Sequence, residues 1–97
     1  MTDAAILTAL KIDLQISSTS LDAYLAELIQ AAREYIRKEG IVLTGTTGDG
    51  MLVEMYAAYL YRSRRDAAAV MPRMLRWALN CRLFGDEVVG GGGDGCG

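Results

Sequence analysis

Glu54 is the first side chain whose chemistry asks for an account. It stands alone among apolar residues in MLVEMYAAYLY, residues 51–61, where a carboxylate is either paired or has its proton affinity raised by burial. As a perturbed acid it would be a proton-handling group. As a paired one it would hold structure, with an arginine such as Arg82 as the fitting partner. Arginines are the second chemical resource. Arg62, Arg64 and Arg65 stand together in YRSRRD, and Arg73 and Arg76 follow within MPRMLRW. Guanidinium groups at this density meet the electrostatic requirement of phosphate contact, and helices can carry them. An acidic protein surface would be met equally well. Against nucleic acid stand a net charge of −2, only two lysines and the absence of a recognisable reading motif.

Other reactive arrangements lack their parts. The chain contains no histidine, so neither a Ser-His nor a Cys-His nucleophile can be built. Its two cysteines, Cys81 and Cys96, have no paired spacing, and a zinc site would need at least two further good ligands. Both are expected reduced, Cys81 as a small apolar residue in a helix and Cys96 as an exposed thiol. The glycines at 45–50 and 90–97 carry no Gly-Lys-Ser/Thr and no strand-glycine-helix context, so no phosphate cradle is expected. The reading is a protein that is not an enzyme and uses no cofactor or metal.

Four helices must position these groups. Ninety-seven residues, 52% of them apolar, make one globular domain. Thr2 and Asp3 can cap a helix through AAILTALKIDL, which SSTS then interrupts. Thr19 and Asp22 have the spacing of a capping box for the second helix. There Leu21, Tyr24, Leu25, Leu28, Ala32, Tyr35 and Ile36 repeat at helical intervals, leaving Glu27, Gln30, Arg33, Glu34, Arg37 and Lys38 outward, and Gly40 stops it. IVLTGTTGDG, residues 41–50, predicts a flexible Gly-Thr loop. Asp49 then caps a third helix beginning near Gly50 or Met51. That helix is apolar on nearly every side to Tyr61 and must be surrounded, in part by a second chain. Tyr56, Tyr59 and Tyr61 suit such an interface. Pro72 fits the first turn of a fourth helix that runs to about Phe84. The expected organisation is an all-α domain over residues 1–86 and a flexible glycine-rich tail over 87–97.

In the fourth helix Met71, Met74, Leu75, Ala78 and Leu79 share one side, and Arg73, Arg76 and Asn80 lie opposite. Arg82 falls among the apolar residues, so it needs an ion-pair partner or a route past the helix end. Charge is segregated along the chain. Residues 1–60 hold four Lys/Arg and eight Asp/Glu, a balance of −4; residues 61–84 hold six and one, +5; residues 85–97 add three acids, −3. Such segregation is neutralised within one fold or between neighbouring copies. No uninterrupted apolar run reaches the ~18 residues of a membrane span, and MTDAAILTALKID has an acid where a secretion signal has a basic region. A cytoplasmic location is expected.

LKIDL, LDAYLAELIQAAREYI, MYAAYLYRSR and MPRMLRWALNCRLF occur in that order and at these separations. Taken together, from Leu10 to Phe84, they resemble the head-tail connector (adaptor) proteins of tailed bacteriophages. The resemblance implies a small helical subunit of a homo-oligomeric ring, dodecameric, seated below the portal protein in the virion neck. DNA passes through its lumen without sequence-specific binding, and the next neck or tail-completion protein docks on the far side. Ring contacts are heterologous, one surface meeting a different surface of the next copy. The expectation is that Arg82, with Arg73 and Arg76, pairs with Glu27 or Glu34 of a neighbour, with Tyr56 and Tyr59 in the same seam. Arg62, Arg64 and Arg65 are expected to face the portal or neck partner, and Val88 and Val89 to add a short strand to it. The alternative is a small helical nucleic-acid-binding protein acting through Arg62 to Arg76. A regulatory or toxin-neutralising helical protein is a third reading, resting on size and compartment alone.

Overall fold

A computed structural model describes residues 1–87, with side chains through Phe84. Among them are four helices and no strand: α1 (Asp3–Leu14), α2 (Asp22–Lys38), α3 (Thr47–Arg65) and α4 (Arg73–Glu87). Thr2 caps α1, its hydroxyl accepting from the Ala5 amide at 3.1 Å. Gln15 ends the helix in the left-handed region, φ 59° and ψ 40°. Its amide and that of Ile16 turn back to the carbonyls of Ile12 and Lys11, which satisfies the last turn as a Schellman-type stop does. Ile6 and Leu10, four residues apart, are the buried stripe of α1.

The second helix starts differently from its sequence reading. Leu21 is the cap residue and makes no side-chain cap bond. The Asp22 amide donates to the Thr19 carbonyl at 3.2 Å, and the Asp22 carboxylate lies 2.8 Å from Lys11 Nζ on α1. The cation on a neighbouring helix outcompetes the local capping box. Leu25, Leu28, Ile29, Ala32 and Ile36 form the buried face of α2. Gly40, at φ 99°, turns the chain after it, and Ile41 re-enters the core.

Of the expected Gly-Thr loop, Thr47–Gly50 are the first turn of α3. Thr46 is the cap, its hydroxyl accepting from the Asp49 amide at 3.2 Å. Asp49 is therefore inside the helix rather than its cap. The preceding residues are tied down: Thr44 bonds to Asp49, the Val42 carbonyl accepts from Arg82, and the Gly45 carbonyl accepts from the Met1 amino group at 2.8 Å. The nearly all-round apolar α3 is explained by its place, since it packs against all three other helices. Tyr56 is enclosed within this single chain and stacks on Tyr35, ring centroids 5.8 Å apart at 4°. Its expected place in a subunit seam is thereby corrected. Tyr59 is partly buried and meets the edge of Tyr56.

Pro72 sits just before α4, its carbonyl accepting from the Arg76 amide at 3.1 Å, and α4 extends past Phe84 to Glu87. Leu75 and Leu79 are the fully buried side chains of this helix. At roughly 1.5–3 kcal/mol for each such leucine, they anchor α4 against α3. No helix of the described residues is long and apolar enough to cross a membrane. Val88, Val89 and Cys96 lie outside the described residues.

Candidate functional site

Two arginine forks fasten α4 to the rest of the chain. Arg82 points toward α3, where Nε donates to Asp49 Oδ1 at 2.8 Å and Nη2 to Asp49 Oδ2 at 3.2 Å. The same Nη2 reaches the Val42 carbonyl at 2.7 Å. Asp49 Oδ2 also accepts from the Thr44 amide at 2.8 Å and the Thr44 hydroxyl at 2.9 Å. Asp49 is only 5% exposed, and its place in the first turn of α3 suits negative charge. The Arg82 hydrogen bond is the main influence holding its carboxyl below the usual carboxylate range, against the opposing effect of burial. Arg76 makes the second fork, Nη2 to Glu39 Oε1 at 2.9 Å and Nη1 to Glu39 Oε2 at 3.2 Å. Paired N–H donors on one carboxylate are the strong form of this contact.

These forks correct the expected seam. Arg82 and Arg76 find acids of their own chain, Asp49 and Glu39, rather than Glu27 or Glu34 of a neighbour. The rotation that put Arg82 among apolar residues was right; the acid lay in a segment read as a loop. Arg82 also does not meet Glu54, which faces Asp13 and Arg62. Glu27 and Glu34 are exposed on α2, Glu34 with Arg37 at 3.0 Å, and Arg73 is exposed at the start of α4.

The arginine cluster at the end of α3 is distributed over local partners. Arg62 lies 3.5 Å from Asp13 on α1. Arg64 sits over the Tyr24 ring at 6.0 Å, and Arg65 over Tyr61 at 5.3 Å with a 3.1 Å bond to its hydroxyl. All three arginines remain solvent-exposed. Cys81 is disulfide-bonded, which corrects the reduced thiol expected there. No cluster of three potential metal-ligating side chains forms among the described residues.

With Arg76 and Arg82 turned into the chain, the outer side of α4 carries an exposed apolar stripe beside the exposed Arg73. Met74 is 65% exposed, Trp77 50% and Phe84 53%. These positions, at spacings of three and seven, share one stripe. Met51 on α3 and Val42 in the preceding loop are further exposed apolar side chains. Between α3 and α4 runs a groove of about 350 Å³, with Leu52, Trp77, Ala78 and Cys81 in its walls together with the Asp49–Arg82 pair. Sequence reasoning assigned Met74 to the core and passed over Trp77 and Phe84. The signal was present: Trp77 lies about 200° round the helix from Leu75 at ~100° per residue, opposite the buried leucines. No family model, curated protein or solved structure matches this chain.

Proposed function

We propose that the chain is a structural subunit of a tailed-phage neck: a head-tail connector whose copies form a ring beneath the portal, joining the DNA-filled head to the tail and letting DNA pass. The observation that carries the reading is the outer side of α4, where the apolar side chains of Met74, Trp77 and Phe84 are half or more exposed. Exposed apolar stripes on small domains mark surfaces that another protein covers. The ordered segments from Leu10 to Phe84 supply the family resemblance, and the helical fold is of the kind it implies. In this proposal the α4 stripe lies in the contact between neighbouring subunits, together with the exposed Glu27, Glu34, Arg73 and the partly exposed Tyr59. Arg62, Arg64 and Arg65 face the portal or the next neck protein.

Sedimentation of the full chain across concentrations tests this reading, comparing wild type with Met74→Ser/Phe84→Ser. Wild type is expected to form a discrete multimer that the double variant loses while keeping its helical content. Equal behaviour of the two proteins would remove α4 from the interface. The alternative reading, nucleic-acid binding, draws on the exposure of Arg62, Arg64 and Arg65. Its mark would be retention on a DNA column that falls steeply with salt and weakens when these arginines are replaced.

A further inference from the structure

Glu54 and Asp13 face one another where α1 meets α3. No donor reaches Oε2 of Glu54, which is shut off from solvent. The group at hydrogen-bonding range of this carboxyl is a second carboxyl, that of Asp13. On its other side Asp13 Oδ1 lies 3.5 Å from Arg62 Nη2. The adjoining cavity, about 180 Å³, has Met55, Ala58, Pro72 and Leu75 in its walls beside Asp13 and Arg62. Ionised carboxylates only accept hydrogen bonds, so two of them facing each other hold together only if one keeps a proton.

We propose that Glu54 keeps its proton and donates it to the Asp13 carboxylate, whose charge Arg62 balances, making a proton-operated latch between the C-terminal end of α1 and the middle of α3. Each surrounding element has a defined part. From α1 comes Asp13, while Lys11 is engaged by Asp22. Within α3 Arg62 is the opposing cation. On the α4 side the adjoining cavity is walled by Pro72 and Leu75, which carry no charge. Burial first, then the hydrogen bond and charge of Asp13, push Glu54 up to about 8, with Arg62 pulling the other way.

The sign of the pH effect follows. Folded Glu54 holds its proton more tightly than the unfolded chain, whose carboxyl titrates near 4.5. Folding is therefore favoured most below that value. The advantage declines as pH rises from about 4.5 to about 8, and above this the group contributes no further change. The limit of the effect is tenfold in the folding equilibrium per pH unit, reduced by partial solvent access.

The test is a side-chain carboxyl titration of the full chain by carbon-13 NMR, in wild type and Asp13→Asn, with folding equilibria of wild type and Glu54→Gln between pH 5 and 8. Glu54 in wild type is expected to titrate near 8, and Asp13→Asn to lower its midpoint by at least about one pH unit. The folding constant of wild type should fall at least about tenfold across that range, and that of Glu54→Gln should stay level by comparison. A Glu54 midpoint below 6 in wild type, or one unmoved in Asp13→Asn, overturns the latch. Should Glu54→Gln fail to fold, the two titrations decide alone.

Discussion

Arg82 grips Asp49 with two hydrogen bonds, 2.8 Å and 3.2 Å long, and through the same guanidinium holds the Val42 carbonyl at 2.7 Å. One side chain thus joins α4, the segment before α3 and the first turn of α3. Asp49 is nearly sealed from water while Arg82 keeps a quarter of its side-chain surface exposed, so the pair is closer to a buried than to a surface salt bridge.

Removing the cation should therefore strand a buried carboxylate. Arg82→Met is expected to destabilise the fold by about 2–4 kcal/mol, below the full buried-pair range because Arg82 is partly solvated. Replacing both partners, Arg82→Met with Asp49→Leu, should recover part of that loss. Urea unfolding measures all three proteins. Equal stability of wild type and Arg82→Met would mean that the fork is incidental.

The same pair sets an acid limit. Asp49 has a lowered folded pKa, principally through Arg82. Its contribution is present above the unfolded value near 3.8 and is lost as pH falls through the folded one. Wild type should lose stability steeply below about pH 4, and Arg82→Met should show a shallower acid slope. Parallel slopes in the two proteins would refute the assignment.

Gln15 offers a stabilising change. It occupies left-handed backbone at φ 59°, a region that costs a side-chain-bearing residue about 1–2 kcal/mol relative to right-handed helix and that glycine enters freely. Gln15→Gly is expected to raise stability by up to about 1 kcal/mol, visible as a higher thermal midpoint. A lower midpoint would show that the Gln15 side chain contributes contacts outweighing the backbone relief.

The two sides of α4 should respond in opposite ways. Leu75→Ala removes a fully buried side chain and is expected to cost about 2–4 kcal/mol. Phe84→Ser, on the exposed stripe, should cost about 1 kcal/mol or less in the isolated subunit while weakening self-association. Calorimetry and sedimentation separate the two effects, and a large stability loss in Phe84→Ser would place that ring in the core instead.

Helix identity was legible because period and stop signals agreed with the final packing: Leu25, Leu28, Ala32 and Ile36 are the buried face of α2, and Gly40 turns the chain after it. Partner identity was not legible, because partners are distant in sequence. Asp49 looked like a helix cap in a glycine-rich loop, and only the approach of α4 makes it the counter-ion of Arg82, 33 residues away. Glu39 meets Arg76 across 37 residues in the same way. The interface tyrosine failed for a related reason. Tyrosine suits cores and seams alike, and the stacking of Tyr56 on Tyr35 depends on how α2 crosses α3. Trp77 was readable from rotation alone once Leu75 and Leu79 are taken as the anchor.

The most direct test of the proposed neck function is native mass spectrometry of the full chain over a range of concentrations, with and without its cognate portal ring. A closed multimer of fixed subunit number is expected, formed alone at high concentration or on the portal, and lost in Met74→Ser/Phe84→Ser. A chain that stays monomeric at every concentration and beside the portal would contradict it.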